Sequence, residues 1–192
     1  MLNYLFKNLN TLFLTCALAF ISIANAQEEV RIIDNKGTIY RLDITTAELY
    51  DTTGGFEITE DEIIIPFNIQ GIIDSNDYTT TINSITIKKP GTYKVTYRVT
   101  AQMTSGESRS GTQYILLKTT NGSTSAVPGS YSAAYHRKTA FGSKNTASAS
   151  RILVLEKDDV LTVRGNKYNG NSNSTIRTVA HGSSFLVERI TK

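Results

Sequence analysis

The chain has 192 residues and a mass of 21.1 kDa, which leaves room for one domain of ordinary size. Its 20 Lys and Arg residues against 17 Asp and Glu residues give a formal charge of +3, too small a surplus to predict a nucleic acid as partner. With 40% apolar and 19% charged residues, the composition is that of a globular protein and excludes an intrinsically disordered one.

Residues 1–26 have the pattern of a secretory signal peptide. Lys7 precedes an apolar run over residues 12–23, and residues 24–26 are the Ala-Asn-Ala that a signal peptidase reads. The run of about a dozen residues is shorter than the roughly twenty needed to span a bilayer, so no membrane span is expected after cleavage. Cys16 is the only cysteine and leaves with the peptide, which excludes disulfides and thiolate metal sites from the mature chain. We therefore expect a secreted, periplasmic or cell-surface protein.

The stretch 27–60 follows as an N-terminal extension. Val30–Ile33 and Thr38–Leu42 are predicted to pair as a hairpin through the turn at residues 34–37. Residues 46–51 have a pattern that permits one helical turn. One hypothesis is that this extension attaches the rest of the protein to a larger appendage.

Period-two alternation dominates the remaining chain and predicts short β-strands. The clearest strand spans residues 93–100: its predicted inward side chains are Tyr93, Val95, Tyr97 and Val99, and its outward ones are Lys94, Thr96, Arg98 and Thr100. The other predicted strands are Ile63–Ile69, Ile85–Ile87, Thr112–Lys118, Ser125–Val127, Ala149–Leu155, Val160–Arg164 and Ser184–Ile190. Turn residues separate them at 90–91, 121–122, 128–129, 157–159 and 165–174. So many short strands predict an all-β sandwich or barrel.

Two late strands carry apolar side chains on both faces. The alternation points Leu153, Leu155, Phe185 and Val187 inward, and Ile152, Val154, Leu186, Glu188 and Ile190 outward. Outward apolar residues exceed what one sandwich core needs, and a subunit contact is the natural way to cover them. Glu188 is expected to pair with Arg98 or Lys94 on the neighbouring strand.

The order of the strand signals resembles a known family. The signals are Ile64-Ile65-Pro66-Phe67-Asn68, Gly91-Thr92-Tyr93, Leu116-Leu117-Lys118, Leu153-Val154-Leu155, Asp158-Asp159 and Phe185-Leu186-Val187. From about Ile63 to Ile190 this succession resembles the C1q/TNF-like jelly-roll family, particularly its bacterial, spore-surface-glycoprotein-like members. Asp158 stands where the family usually has Gly, and Asp tolerates the left-handed backbone that such a turn needs.

The resemblance implies an antiparallel two-sheet jelly-roll sandwich over residues 61–192 that assembles as a homotrimer about a three-fold axis. It also implies a non-enzymatic module that binds an extracellular protein or glycan. In the family the two late strands lie in the sheet that meets the axis. The predicted trimer interface is Thr96, Arg98, Ile152, Val154, Leu186, Glu188 and Ile190.

Candidate ligand-binding residues lie in two later segments. Tyr131, Tyr135, His136 and Arg137 follow the 128–129 turn, and Tyr168 is the aromatic residue of a polar loop. Aromatic and Arg side chains are the usual anchors of recognition surfaces. The alternative is that Tyr131 and Tyr135 pack inside the sandwich.

Catalytic chemistry has little support in the sequence. His136 and His181 are the only histidines, neither belongs to an H-E-x-x-H motif, and both are expected at the surface or in turns. No G-x-S-x-G motif or phosphate-binding loop occurs. Residues 74–77 offer oxygen ligands for Ca²⁺ without the spacing of a known calcium loop, so a plain turn is favoured and no cofactor is predicted. The alternative function is a monomeric extracytoplasmic jelly-roll lectin or glycan-processing enzyme that uses Tyr135 or Tyr168.

Overall fold

A computed structural model describes residues 30–33, 39–42, 44–105, 109–137, 143–168 and 174–191, and the regular structure in these ranges is β-strand. The predicted signal peptide and the 34–37 turn lie outside the described residues. None of the residues that the structure describes belongs to a helix long and apolar enough to cross a membrane. The chain divides after Leu42 into two units.

The first unit contains the predicted hairpin strands. β1 (Val30–Ile33) pairs antiparallel with β2 (Ile39–Leu42), and Val30 lies opposite Leu42.

The second unit is built from antiparallel strands in two sheets. The strands are β3 (Thr45–Asp51), β4 (Glu57–Ile58), β5 (Ile63–Ile64), β6 (Ile69–Ile73), β7 (Tyr78–Thr80), β8 (Ser84–Ile87), β9 (Gly91–Ser105), β10 (Arg109–Thr120), β11 (Ser123–Ala126), β12 (Ser132–Arg137), β13 (Lys144–Leu155), β14 (Val160–Tyr168), β15 (Thr175–Thr178) and β16 (Ser183–Thr191). One sheet, called here the β9 sheet, has the order β4-β15-β9-β16-β3-β6, with β13 also paired to β9. The other, the β10 sheet, has the order β11-β10-β14-β8-β7, with β12 paired to β10 and β5 to β14. The predicted all-β sandwich is thereby confirmed.

The core lies between the two sheets and follows the predicted alternation. The inward side chains of β9, from Tyr93 to Val99, are at most 1% exposed, whereas Lys94 and Arg98 are exposed. Phe185 and Val187 of β16 are fully buried, and the ring centroids of Phe185 and Phe67 lie 5.8 Å apart. The inward and outward assignments on β9 and β16 were therefore correct.

One predicted strand, Ile63–Ile69, is two strands in different sheets. β5 pairs with β14 in the β10 sheet, and β6 pairs with β3 in the β9 sheet. Pro66 lies between them and has no N–H to donate to a ladder, so continuous pairing is broken there. The flanking amides of Ile65 and Phe67 donate instead to the carbonyls of Val163 and Ile82. The chain therefore crosses from one sheet to the other between β5 and β6, after these bonds.

Residues 46–51 form part of β3, so the predicted helical turn is wrong. Ala47, Leu49 and Asp51 are buried in strict alternation, and β3 pairs with β16 from Thr45 to Asp51. The seven-residue ladder outweighs a weak local preference for helix. The sandwich consequently begins with β3, earlier than the predicted start at residue 61. The strands β4, β7, β12 and β15 were not predicted.

Two predicted turns have the backbone that their residue types favour. Asn121 and Gly122, between β10 and β11, have φ values of 51° and 78°, the left-handed pair typical of a tight hairpin. Asp158 has a φ of 68°, so it does adopt the left-handed conformation for which the C1q/TNF-like family that the sequence resembles uses glycine. Residues 165–168, predicted as part of a loop, belong to β14, which continues to Tyr168.

Candidate functional site

The outer face of the β9 sheet carries the seven residues predicted at a subunit interface. Leu186 lies directly opposite Thr96, and Ile152 lies opposite Lys94, so their side chains share one face. Ile152 is 65% exposed and Val154 is 71% exposed. We call these seven residues the apolar face: Thr96, Arg98, Ile152, Val154, Leu186, Glu188 and Ile190.

A salt bridge crosses the apolar face. The Nζ of Lys94, one of the two partners predicted for Glu188, lies 3.3 Å from a carboxylate oxygen of Glu188. The Lys94 side chain is half exposed, so the pair contributes less than about 1 kcal/mol to stability. Lys94 and Glu188 lie directly opposite each other on β9 and β16, so their contact favours this pairing register.

A cleft of about 310 Å³ adjoins the apolar face at Arg98. Glu48, Tyr50, His181 and Ser184 also line it. His181 is exposed, in a turn with a φ of 60°, which agrees with its predicted place in a turn. Glu48 and Tyr50 were missed because residues 46–51 were not read as a strand.

Tyr131 and Tyr135 are exposed by 55% and 46%, so the alternative that both pack inside the sandwich is wrong. Tyr135 and Arg137 point outward from β12, and the Arg137 guanidinium carbon lies 5.7 Å from the centre of the Tyr135 ring. This distance permits a cation–π contact.

His136 lies between these outward residues and points inward. It is fully buried, and its Nε2 is 2.9 Å from the Thr112 hydroxyl. Burial disfavours the charged imidazolium and lowers the pKa of His136 to about 4. The structure therefore corrects the prediction of a surface histidine: His136 is not on the same surface as Tyr135. The alternation of Ala134 and His136 with exposed residues is the signal that could have shown this.

Tyr168 is partly buried at the end of β14. Its ring packs on Gly111, where an added Cβ would lie only 2.7 Å from the ring. Tyr168 thus covers a neighbouring strand in the β10 sheet, rather than standing free at the centre of a polar loop.

The segment 74–77 is a turn whose last carboxylate has cationic partners. Asp77 is 1% exposed, contacts Lys89, and has its Oδ2 3.3 Å from the Arg189 guanidinium. Asp74 accepts a hydrogen bond from the Asn76 amide. In the part of the chain that the structure describes, no three His, Cys, Asp or Glu residues are grouped to hold a metal ion.

A second cleft, of about 170 Å³, lies on the outer face of the β10 sheet. It is called the tyrosine cleft here, and its side chains are those of Gln113, Ile115, Tyr131, Arg164 and Asn166. The sequence indicated Tyr131 but not the other four, because the pairing of β10 with β14 joins residues about fifty positions apart.

Two antiparallel sheets packed face to face, with this strand order, define a C1q/TNF-like jelly roll. A scan against protein-family models finds no match for the sequence, and a search of curated proteins also finds none. Solved structures do match, at low identity. Murine APRIL at pH 8.5 has a TM-score of 0.56 and 9% identity over 77% of this chain and 100% of that chain.

Two further structures extend the likeness to other animals. The Eiger TNF of S. frugiperda has a TM-score of 0.51 and 12% identity, covering 78% of this chain and 94% of that chain. The globular domain of zebrafish complement 1qA protein has a TM-score of 0.51 and 14% identity, covering 79% and 98%. The chain therefore has the C1q/TNF-like jelly-roll fold.

Proposed function

We propose that this protein is a secreted, non-enzymatic, homotrimeric recognition or surface-structural module that binds an extracellular protein or glycan. The observation that carries the proposal is the apolar face of the β9 sheet. The fold supports it, because the C1q/TNF-like resemblance implies assembly about a three-fold axis through this sheet.

The apolar face has the composition of a subunit contact. Ile152 and Val154 expose most of their surface on β13, and Leu186 and Ile190 are partly exposed on β16, on the other side of β9. The salt bridge of Lys94 with Glu188 adds a charged pair to this apolar surface. Ile152 and Val154 are neighbours on one face, and a subunit contact would remove this exposed apolar surface from water. A second copy of the chain covers it in a closed ring.

Recognition is assigned to the opposite side of the sandwich. Tyr131, Tyr135 and Arg137 are exposed on the outer face of the β10 sheet, which assembly through the β9 sheet leaves accessible. A histidine-dependent reaction is disfavoured at this surface because His136 is fully buried and bonded to Thr112.

The first experiment is size-exclusion chromatography with light scattering on the mature protein at micromolar concentration. We expect a trimer for the wild type and a monomer for the double variant Ile152→Lys, Val154→Lys, because two charges then lie at the contact. Ile82→Lys is the matched control: Ile82 is 62% exposed, against 65% for Ile152, but lies in the turn between β7 and β8 of the other sheet. This control should remain trimeric.

A monomeric wild type would overturn the proposal. A trimer that survives the double variant would place the contact elsewhere and contradict the role of the apolar face. Export is tested separately by the intact mass of the protein recovered outside the cytoplasm, which should begin at Gln27. Recovery of the full-length chain would contradict cleavage after residue 26.

A further inference from the structure

The tyrosine cleft on the β10 sheet is formed by two cross-strand pairs and one loop residue. Gln113 lies directly opposite Asn166, and Ile115 opposite Arg164, on β10 and β14. Tyr131 immediately precedes β12, which pairs with the other edge of β10. The pairing of rigid strands thus brings one aromatic ring, two amides and one guanidinium around a cleft of about 170 Å³.

A directed chain of hydrogen bonds holds these side chains in place. The Tyr131 hydroxyl donates to Gln113 Oε1 at 2.9 Å, and Gln113 Nε2 donates to Asn166 Oδ1 at 3.0 Å. Asn166 Nδ2 in turn donates to the carbonyl of Lys167 at 3.0 Å. The orientation of both amides is therefore fixed before any ligand arrives. Such preorganisation reduces the entropy that binding must overcome.

Several groups remain available to a ligand. Gln113 Nε2 has two N–H groups and uses one of them on Asn166. In the described part of the chain, the Arg164 guanidinium bonds a side chain only through Nη1, which donates to Glu62 at 2.6 Å. Its other N–H groups are available as donors. Tyr131 is 55% exposed, and Ile115 supplies an apolar surface between the polar groups.

This combination fits a ligand that has an apolar face and a polar edge. A pyranose ring places its C–H groups against an aromatic ring, and its hydroxyl oxygens accept hydrogen bonds from amide and guanidinium donors. Binding sites of this kind use an apolar or aromatic surface with a few fixed polar groups. The cleft has room for one small ring rather than an extended chain.

The charge distribution in the tyrosine cleft favours a neutral sugar over an acidic one. Arg164 is the cation of the tyrosine cleft, and its contact with Glu62 neutralises it. An incoming carboxylate would compete with Glu62 for the same guanidinium, whereas hydroxyl groups accept from the N–H groups left over.

We propose that the tyrosine cleft binds one neutral hexopyranose unit of an extracellular glycan. This inference rests on the proposed function, since it names the partner class that the recognition module binds. It also assigns Tyr131 as the aromatic surface for the sugar, and Gln113 and Arg164 as donors to its hydroxyl oxygens.

The test is saturation-transfer difference NMR on the mature protein with the methyl glycosides of glucose, galactose, mannose and N-acetylglucosamine. At least one should bind with a dissociation constant on the order of 1 mM, as expected for a ligand of this size. Tyr131→Ala should weaken binding about tenfold by removing the ring. Tyr131→Phe should retain most of the affinity because it keeps the ring. Ile82→Ala is the control, since Ile82 is 62% exposed and lies outside the cleft, and should bind like the wild type.

Three results would overturn the inference: no binding of any of the four glycosides up to about 50 mM, equal binding by Tyr131→Ala, or tighter binding of methyl glucuronide than of methyl glucoside. Light scattering on the same samples separates the two proposals. A trimer that binds no sugar contradicts only the glycan assignment, and a monomer that binds sugar contradicts only the trimer.

Discussion

The two ends of the sandwich bury polar side chains in different ways. At the end where β9 begins, Asp77 is 1% exposed and has two cationic partners, Lys89 and Arg189. Arg189 also donates from Nη2 to the carbonyl of Pro90 at 2.7 Å, although its Nε has no partner in the described structure. The buried charge at this end is compensated by opposite charge and by hydrogen bonds.

At the end where β9 finishes, two buried polar side chains, His136 and Ser110, are neutral and incompletely bonded. His136 on β12 lies opposite Ser110 on β10, and they are 0% and 1% exposed. The His136 Nε2 bonds to Thr112, but within the described residues neither the His136 Nδ1 nor the Ser110 hydroxyl has a partner. Such groups lose their hydration on folding and gain little in return.

Burial alone therefore does not decide whether a polar side chain stabilises the fold. Removing a member of the compensated cluster leaves an unpaired charge in a place of low dielectric. Removing an unpartnered hydroxyl takes away a group that was already costly. Substitutions at the two ends should therefore differ in both size and sign.

The largest effect is expected for Asp77→Asn. This change keeps the shape of the side chain but leaves Arg189, whose side chain is 10% exposed, without its opposite charge. We expect a loss of about 3–5 kcal/mol in the free energy of unfolding, measured by urea denaturation at fixed protein concentration.

Glu57→Gln is the control for the Asp77 substitution. Glu57 pairs with Arg177 at 3.2 Å, but both side chains are about half exposed, so the loss should stay below about 1 kcal/mol. Equal losses for the two variants would mean that burial of the Asp77 cluster has no energetic consequence.

The next prediction concerns the pH dependence of folding stability, to which the two ends should contribute in different pH ranges. The pKa of His136 is about 4 in the folded state because burial disfavours its charged form, against 6.5 for an ordinary histidine. The unfolded chain therefore binds more protons between these values, and stability falls as the pH is lowered from about 6.5 to about 4. Between pH 7 and pH 4.5 the loss should be about 2–3 kcal/mol.

Asp77 should respond to pH only below this window. Burial opposes its ionisation, but hydrogen bonds from Lys89 and Thr45 and the charges of Lys89 and Arg189 outweigh it, and they hold the pKa of Asp77 below 3.8. Its contribution is complete above the unfolded pKa and is lost only as the pH falls through the folded value. His136→Gln should abolish the loss between pH 7 and pH 4.5 and leave the more acidic phase. If the variant keeps the full early loss, another group is responsible.

A smaller effect is expected midway between the ends, at Tyr97. Its hydroxyl lies 2.5 Å from the Ser130 carbonyl and 3.0 Å from the Tyr114 carbonyl, so it links the β9 sheet to the other layer. Tyr97→Phe should lower the free energy of unfolding by about 1–2 kcal/mol, because it leaves buried carbonyls without this donor. Thermal unfolding measures the change. Tyr135→Phe, at an exposed position, should change stability by less than about 0.5 kcal/mol. No difference between the two would show that the Tyr97 hydroxyl carries no net stability.

The strands that were predictable from the sequence are those with a clear alternation of their own. The β9 alternation is readable because four large inward side chains recur at every second position, and the same holds for Phe185 and Val187. The prediction for residues 46–51 was wrong because their local pattern fits a helix as well as a strand. The pairing with β16, more than 130 residues later in the chain, determines that they form a strand.

The candidate site was less predictable than the fold for the same reason. Exposure of Tyr131 and its link to Gln113 depend on the registers of β12 and β14 against β10, which only the folded chain sets. His136 was misplaced because β12 has small residues on its inward side and gives little strand signal. The outward orientation of the apolar residues on β13, by contrast, follows from alternation along that strand and could be predicted without knowing how the strand pairs.

The smallest effect, and the sharpest for the comparison of the two ends, is expected for Ser110→Ala. The Ser110 hydroxyl is buried without a partner in the described structure, so its removal should leave stability unchanged or raise it by up to about 1 kcal/mol. Ser130→Ala is the counterpart: this equally buried hydroxyl donates to the Val127 carbonyl at 2.7 Å and accepts from the Leu116 amide at 3.0 Å. Its loss should cost about 1–3 kcal/mol. Thermal unfolding of the two variants in parallel should give shifts of opposite sign, or a shift for Ser130→Ala alone. If Ser110→Ala destabilises as much as Ser130→Ala, Ser110 has a partner, and the two ends do not differ in the way described.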